Sequence, residues 1–337
     1  MDYDGLFPKF PVNRPLDGWE LSHRLRQGKP ARAQPWQQFS LIRMNSTYLE
    51  CVDKFFEARG MLTAAGLFFS VLFLGTLAIP VDMVFSWLTM PPEDQRGSVF
   101  LLAFILFLCL PVLYVCLRFM FFKEAFRYTH YPMRFNRKNR MVYVTRFDGT
   151  VMAEPWDKLF FALGDMGKGA HDIRMHRLDA DVAGLEPREL MHHLSTNTVN
   201  VLETHALTYF SDAHDPNLLA QWEFIRQYME NGPAPFMDDI TVVMDVHDRR
   251  ESFVRGFLRL HTSSGALGFL VLPVDLVYAV GRWLANITSK IPRWPEEVER
   301  ECRIAPDDPY IRDRDNLATQ AEYWAAQDRR EEERSRL

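Results

Sequence analysis

The chain has 337 residues, enough for about two domains, and its 47% apolar and 25% charged residues exclude wholesale disorder, a collagen-like repeat and a transporter embedded throughout in lipid. A net charge of -5 supplies no global basic field, so nucleic acid is not an expected partner. Four cysteines are too few for a disulfide framework and point to a reducing compartment with buried thiols.

Residues 1–60 read as a polar, cytoplasmic N-terminal segment, and their length ahead of the first apolar block argues against a cleaved leader. From Met61 to Val81 the sequence is MLTAAGLFFSVLFLGTLAIPV, and from Val99 to Leu117 it is VFLLAFILFLCLPVLYVCL, both without a charge. Each approaches the roughly 20 residues that a helix rising ~1.5 Å per residue needs to cross ~30 Å of hydrocarbon. The expectation is a transmembrane helical hairpin over 61–122, with PPEDQRGS (Pro91 to Ser98) as its outer turn and Trp87 in the headgroup layer. Arg134, Arg137, Lys138 and Arg140 follow the second block, and Arg43, Lys54 and Arg59 precede the first. By the positive-inside rule both termini face the cytoplasm of a multi-pass inner-membrane protein. The four juxtamembrane cations are then membrane-interface residues that meet the lipid bilayer.

Residues 123–250 read as a cytoplasmic α+β module, mainly an antiparallel sheet with packing helices. Val142 and Val144 alternate with Tyr143 and Thr145, and Asp148-Gly149 supplies a hairpin turn before Thr150 to Met152. Leu159 to Leu163, Ile173 to Leu178 and Val201 to Phe210 read as further strands. Asn217 to Glu230, with Leu218, Trp222, Ile225 and Met229 at helical spacing, reads as a helix ended by Asn231-Gly232-Pro233.

Residues 251–290 read as amphipathic or re-entrant membrane-associated helices, because Asp275 interrupts the apolar run from Gly265 to Gly281. Leu74 to Val84 (LGTLAIPVDMV) and Leu267 to Val277 (LGFLVLPVDLV) echo one another through Pro-Val-Asp. The echo makes Asp82 and Asp275 intramembrane carboxylates that either pair with arginines such as Arg282 or cap a helix broken at the proline, unless two apolar segments have simply converged. Residues 291–337 form a charged C-terminal tail.

No residue set suggests catalysis. GDMGKG at Gly164 to Gly169 lacks P-loop spacing and reads as a hairpin turn. His171, His176, His192, His193, His205 and His214 show no metal-ligand spacing, so no metal or cofactor is expected and the histidines read as solvated or structural. There is no G-x-S-x-G elbow and no plausible cysteine nucleophile, so the chain does not read as an enzyme.

FNRKNRMVYV from Phe135, Gly149, Glu154 to Asp157 (EPWD), WEFIRQYME from Trp222 and IPRWPEE from Ile291 together resemble uncharacterised two-span bacterial inner-membrane proteins encoded near type VI secretion genes. The resemblance implies a protein partner, either a secreted effector or a secretion component, and a role as immunity or accessory protein. It implies no catalytic residue. The partner-binding residues are not defined by the sequence. A lipid-binding sensor and a channel component using Asp82 and Asp275 are the rival expectations.

Overall fold

Short β-rich runs joined by turn-forming residues dominate the first 60 and the middle hundred residues, and they pair into antiparallel sheets. The computed structural model describes residues 2–4, 9–53, 56, 59–87, 103–167, 169–212, 216–244, 246, 253, 257, 268–319, 322–323 and 326. Two compact units emerge. The first comprises Met1–Glu57, His130–His247 and Pro292–Leu337; the second comprises Ala58–Thr129 and Asp248–Ile291.

In chain order the described elements begin with β1 (Asp2–Asp4), β2 (Phe10–Val12), β3 (Arg14–Pro15), α1 (Gly18–Ser22), β4 (Arg24–Leu25), β5 (Leu41–Met44) and β6 (Tyr48–Cys51). Then come the helices α2 (Met61–Trp87) and α3 (Leu110–Cys116), followed by β7 (Met133–Asn136), β8 (Met141–Thr145), β9 (Val151–Pro155), β10 (Phe160–Gly167) and β11 (Ala170–Leu178). The chain continues through α4 (Pro187–Thr196), β12 (Asn200–Asp212), α5 (Pro216–Asn231), β13 (Val242–Val243), α6 (Gly268–Thr288), α7 (Glu296–Glu301) and β14 (Ala318–Thr319).

The first unit holds two five-stranded antiparallel sheets, ordered β5-β6-β7-β8-β9 and β3-β12-β11-β10-β4. The β8–β9 turn forms where Asp148-Gly149 predicts it. Asp148 Oδ1 accepts from the Thr150 amide at 2.9 Å, and Gly149 takes φ of +89°, where a side chain would strain the backbone. Gly164 to Gly169 lies in the β10–β11 hairpin, whose register shifts between Asp165 and Gly167. Along α5 the helical spacing turns Leu218, Trp222, Ile225 and Met229 into a core that includes Phe135, Trp156 and Phe161. Trp156 stacks on Trp222 with ring centroids 5.7 Å apart. The helix ends at Gly232, whose amide donates to the Tyr228 carbonyl and whose φ is +88°.

The N-terminal segment and the tail are integral to this unit. β6 pairs with β7 from Tyr48↔Asn136 to Cys51↔Met133, and Leu41, Met44, Leu49 and Cys51 belong to the main core. From the tail, Asp308 Oδ2 accepts from the Ser46 amide at 2.8 Å, and Val242–Val243 pairs in parallel with Ala318–Thr319. All four cysteines are free and buried, and burial pushes the Cys51 thiol up to about 12.

The second unit is helical. α2 meets its neighbours through small residues: a Cβ built on Gly281 of α6 would lie 2.5 Å from Ala64, and one on Gly66 would lie 2.6 Å from the amide nitrogen of Phe121 in the Leu117–Phe121 segment. The amino end of α2 is satisfied from outside its own sequence, because the buried Glu124 accepts from the Gly60 and Thr63 amides at 2.5 and 2.9 Å. Arg59 donates to the carbonyls of Thr129 and Ala285 at 2.7 and 2.8 Å. Replacing Gly281 by alanine is expected to destabilise this unit by roughly 1–3 kcal/mol through overpacking. Gly75→Ala, with open space around it, is expected to gain roughly 0.5–1 kcal/mol. Thermal unfolding of the two variants should shift in opposite directions; equal shifts would sink this account of the helix contact.

Among the described residues no helix is long and apolar enough to cross a membrane. That overturns the two-span hairpin, and with it the multi-pass inner-membrane location and the cytoplasmic placement of both termini. The second block does not form one regular helix: it is divided into Ile105–Cys109 and Leu117–Phe121, both wound as π-helix, around the seven-residue α3. Hydropathy summed along the chain registers neither these departures from regular helix nor the Glu124 carboxylate, which accepts from the Thr63 amide and hydroxyl at the start of the first block. The echoed prolines do not break the helices either, since Pro80 lies inside α2 and Pro273 inside α6. The expected outer turn at Pro91 to Ser98 lies outside the described residues.

Candidate functional site

Arg134, Arg137, Lys138 and Arg140 are brought together by the β7–β8 hairpin. The last residues of β7 make its turn: Asn136 Oδ1 accepts from the Lys138 and Asn139 amides at 3.0 and 3.2 Å, and Arg140 takes φ of +54°. Arg134, assigned from the sequence to a lipid headgroup, has a side chain only 4% exposed. Its guanidinium lies between the Tyr48 and Trp294 rings, 4.3 and 4.7 Å from their centroids, and donates to Glu50 Oε2 at 2.9 and 3.1 Å. Trp294 Nε1 completes the site by donating to Glu50 Oε1 at 2.9 Å. Burial lowers the pKa of Arg134, but Glu50 and its neighbours outweigh burial and hold the group charged.

Arg140 is also engaged internally. It donates to both oxygens of Asp157 at 2.7 and 2.6 Å, and to Glu230, which also accepts from Trp156 Nε1. Arg137 packs against Gly232, and Lys138 is exposed. Trp87 and Asp82 lie within α2, with their side chains outside the described residues. Asp275 sits half-buried on α6; Arg282, its expected partner, is buried and donates to the Arg59 carbonyl at 3.3 Å.

Two features stand out instead. The first is the surface of the helical unit, where Phe68, Phe69, Leu72, Phe107, Tyr114 and Phe119 are all exposed, Phe107 to 82%. Exposed apolar patches of this kind mark interaction surfaces in folded proteins. The second lies in the sheet unit, where Glu20 and His176 are fully buried yet charged or titratable. Asp17 and Glu20 form a reciprocal capping box around α1, a D-x-x-E pattern legible in the sequence. Arg14 donates to the two Glu20 oxygens at 2.9 and 2.5 Å. His176 Nε2 lies 3.3 Å from Glu20 Oε1, and its Nδ1 is 2.9 Å from Thr204 Oγ1.

Carboxylate, imidazole and hydroxyl thus lie in sequence, the order that nucleophilic catalysis uses. The hydroxyl is in the wrong place for it: Thr204 is only 2% exposed. Burial lowers the His176 pKa to about 4, so the ring is neutral near neutral pH. Burial alone raises Glu20, but the hydrogen bonds donated by Arg14 and by the Asp17 amide outweigh it and hold the carboxyl below its ordinary value. Of the other histidines singled out from the sequence, His205 Nε2 lies 2.9 Å from Glu203 Oε1, and His214 lies outside the described residues.

In front of this cluster opens a cleft of about 740 Å³, walled by residues that include Phe10, Arg14, Trp19, Glu20, Asp165 and Arg174. Residues 169–306 match the model of a family of unknown function (DUF6708). That stretch contains His176, Arg174 and Thr204 but not Arg14 or Glu20, so the site joins matched and unmatched parts of the chain. No curated protein matches the sequence, and no solved structure matches it.

Proposed function

We propose that this chain is a non-enzymatic binding protein whose helical unit docks a partner protein through its apolar surface. The observation that carries the reading is the set of large apolar side chains exposed on that unit, with Phe107, Tyr114 and Phe119 foremost. Leaving such a surface in water is unfavourable by about 25 cal/mol per Å², and a partner removes that cost. In the setting implied by the resemblance to proteins encoded beside type VI secretion genes, the partner is a toxic effector. The chain then serves as its immunity or accessory protein. The lipid-sensor alternative places Arg137, Lys138 and Arg140 at headgroups; of these, Arg140 is already paired with Asp157 and Glu230.

Deleting the gene is expected to sensitise cells to one effector encoded beside it, and the two proteins are expected to co-purify. Combining Phe107→Ser, Tyr114→Ser and Phe119→Ser should abolish co-purification while leaving the circular dichroism spectrum of the chain unchanged. Undiminished co-purification of that variant would remove the helical surface from the account. An unsensitised deletion strain would remove the effector.

A further inference from the structure

The stretch from Arg118 to Arg127 carries the cations Arg118, Lys123 and Arg127 against a single carboxylate, Glu124. Glu124 is buried and accepts from the Gly60 and Thr63 amides, so its charge is directed into the helical unit. A pocket of about 480 Å³ opens on the same unit, lined by Arg118, Phe122, Ala125, Phe126 and Arg127. That volume is in the range of ligand sites. Its lining holds two cations and no anion. Both arginines are exposed, and among the described residues neither guanidinium has a hydrogen-bond acceptor or an ion-pair partner.

The shape of the pocket is fixed by its backbone. Phe126 takes φ of +64°, a region that bulky side chains rarely enter. The bend is held by the end of α6 and the residues after it: the Phe126 amide donates to Thr288 Oγ1 at 3.4 Å, and the Arg127 carbonyl accepts from the Lys290 amide at 2.7 Å.

The pocket adjoins the apolar docking surface. Arg118 is wound into the same Leu117–Phe121 segment as Phe119, which is 60% exposed, and its guanidinium lies over the Phe119 ring, 5.8 Å from the centroid. A partner that covers Phe119 therefore covers Arg118. If the covering surface were wholly apolar, the guanidinium would leave water with no counter-charge, which is unfavourable. A small inorganic anion would answer the charge but leave the exposed Phe122 and Phe126 rings in water. Both demands are met by a carboxylate set among apolar side chains.

We propose that the docked partner enters this pocket with an acidic segment, its aspartate or glutamate carboxylate between Arg118 and Arg127 and the flanking apolar side chains on Phe119, Phe122 and Phe126. The proposal rests on the reading that this surface docks a protein, and it adds the chemistry of the segment that the partner must present.

Calorimetric titration of the full chain at low salt tests this with three probes: acetyl-Phe-Glu-Leu-Glu-Phe-amide, its charge-reversed counterpart acetyl-Phe-Lys-Leu-Lys-Phe-amide, and inorganic phosphate. The acidic peptide is expected to bind tightest. Arg118→Gln and Arg127→Gln should each weaken it by about threefold to fivefold, and together by roughly tenfold, with added salt diminishing the difference. Lys138→Gln combined with Arg303→Gln removes the same charge from exposed positions of the sheet unit and should leave binding unchanged. Equal or tighter binding of the basic peptide overturns the proposal, as does binding that the Arg118 and Arg127 variants leave unchanged. No heat with the acidic peptide up to about 1 mM overturns it too. Phosphate binding as tightly as the peptide would reassign the pocket to free anions. Co-purification separates this proposal from the docking itself: a partner lost with Phe107→Ser, Tyr114→Ser and Phe119→Ser, yet fully retained with Arg118→Gln and Arg127→Gln, would leave the docking standing and remove the acidic segment.

Discussion

Replacing Arg134 with leucine is expected to lower the stability of the sheet unit by roughly 3–5 kcal/mol, the largest effect of any single substitution considered. The cause is the charge left behind. Glu50 is itself only 8% exposed, and it loses both donated hydrogen bonds of the guanidinium while keeping a single donor in Trp294 Nε1. An unpaired carboxylate at that depth must either remain ionised at high cost or take up a proton. Arg134→Lys should recover only part of the loss, because an ammonium cannot lie as a flat plate between Tyr48 and Trp294 while reaching Glu50. Arg134→Leu combined with Glu50→Gln should be more stable than Arg134→Leu alone. Urea unfolding followed by tryptophan fluorescence measures all three; a loss below about 1 kcal/mol for Arg134→Leu would show that the pair is not what holds Trp294 against the sheet.

The second large effect is on pH dependence. The ordinary histidine pKa lies near 6.5, whereas burial holds His176 at about 4 in the folded chain. Between those values the unfolded chain binds a proton that the folded chain refuses, so stability rises with pH across that interval. The contribution is complete above pH 6.5 and is lost as the pH falls toward 4. It amounts to about 3 kcal/mol, at roughly 1.4 kcal/mol for each unit of the difference. Glu20, held below its ordinary value, adds a loss of the same sign at still lower pH. His176→Gln has no proton to gain and should flatten the decline between pH 6.5 and 4. Parallel pH profiles for the parent chain and the variant would exclude His176 as the titrating group.

Both effects rest on residues whose partners come from distant parts of the chain, and this separates what was legible in the sequence from what was not. The strand at Val142 to Thr145 was legible because Val142 and Val144 alternate with Tyr143 and Thr145, and the turns at Asp148-Gly149 and Gly232 were legible because few residues tolerate their backbone geometry. Helix α5 was legible for the same kind of local reason. β5 and β6 were overlooked because they are only four residues each and join their sheet through the pairing of β6 with β7, which lies far along the chain.

The candidate site divides in the same way. The capping box of Asp17 and Glu20 is written locally, three residues apart, and so is the basic run from Arg134 to Arg140. Their meanings are not local. A cation near an uncharged block reads as a membrane signal only until Glu50, Trp294 and Asp157 are placed against it. His176 likewise reads as one histidine among ten until the folded sheet sets it behind Glu20. The sequence by itself determined the β8–β9 hairpin, helix α5 and the turns that end them. Only the tertiary structure decided where each charge is satisfied, because ion pairing and desolvation depend on distances of a few ångströms between residues that the chain order keeps far apart.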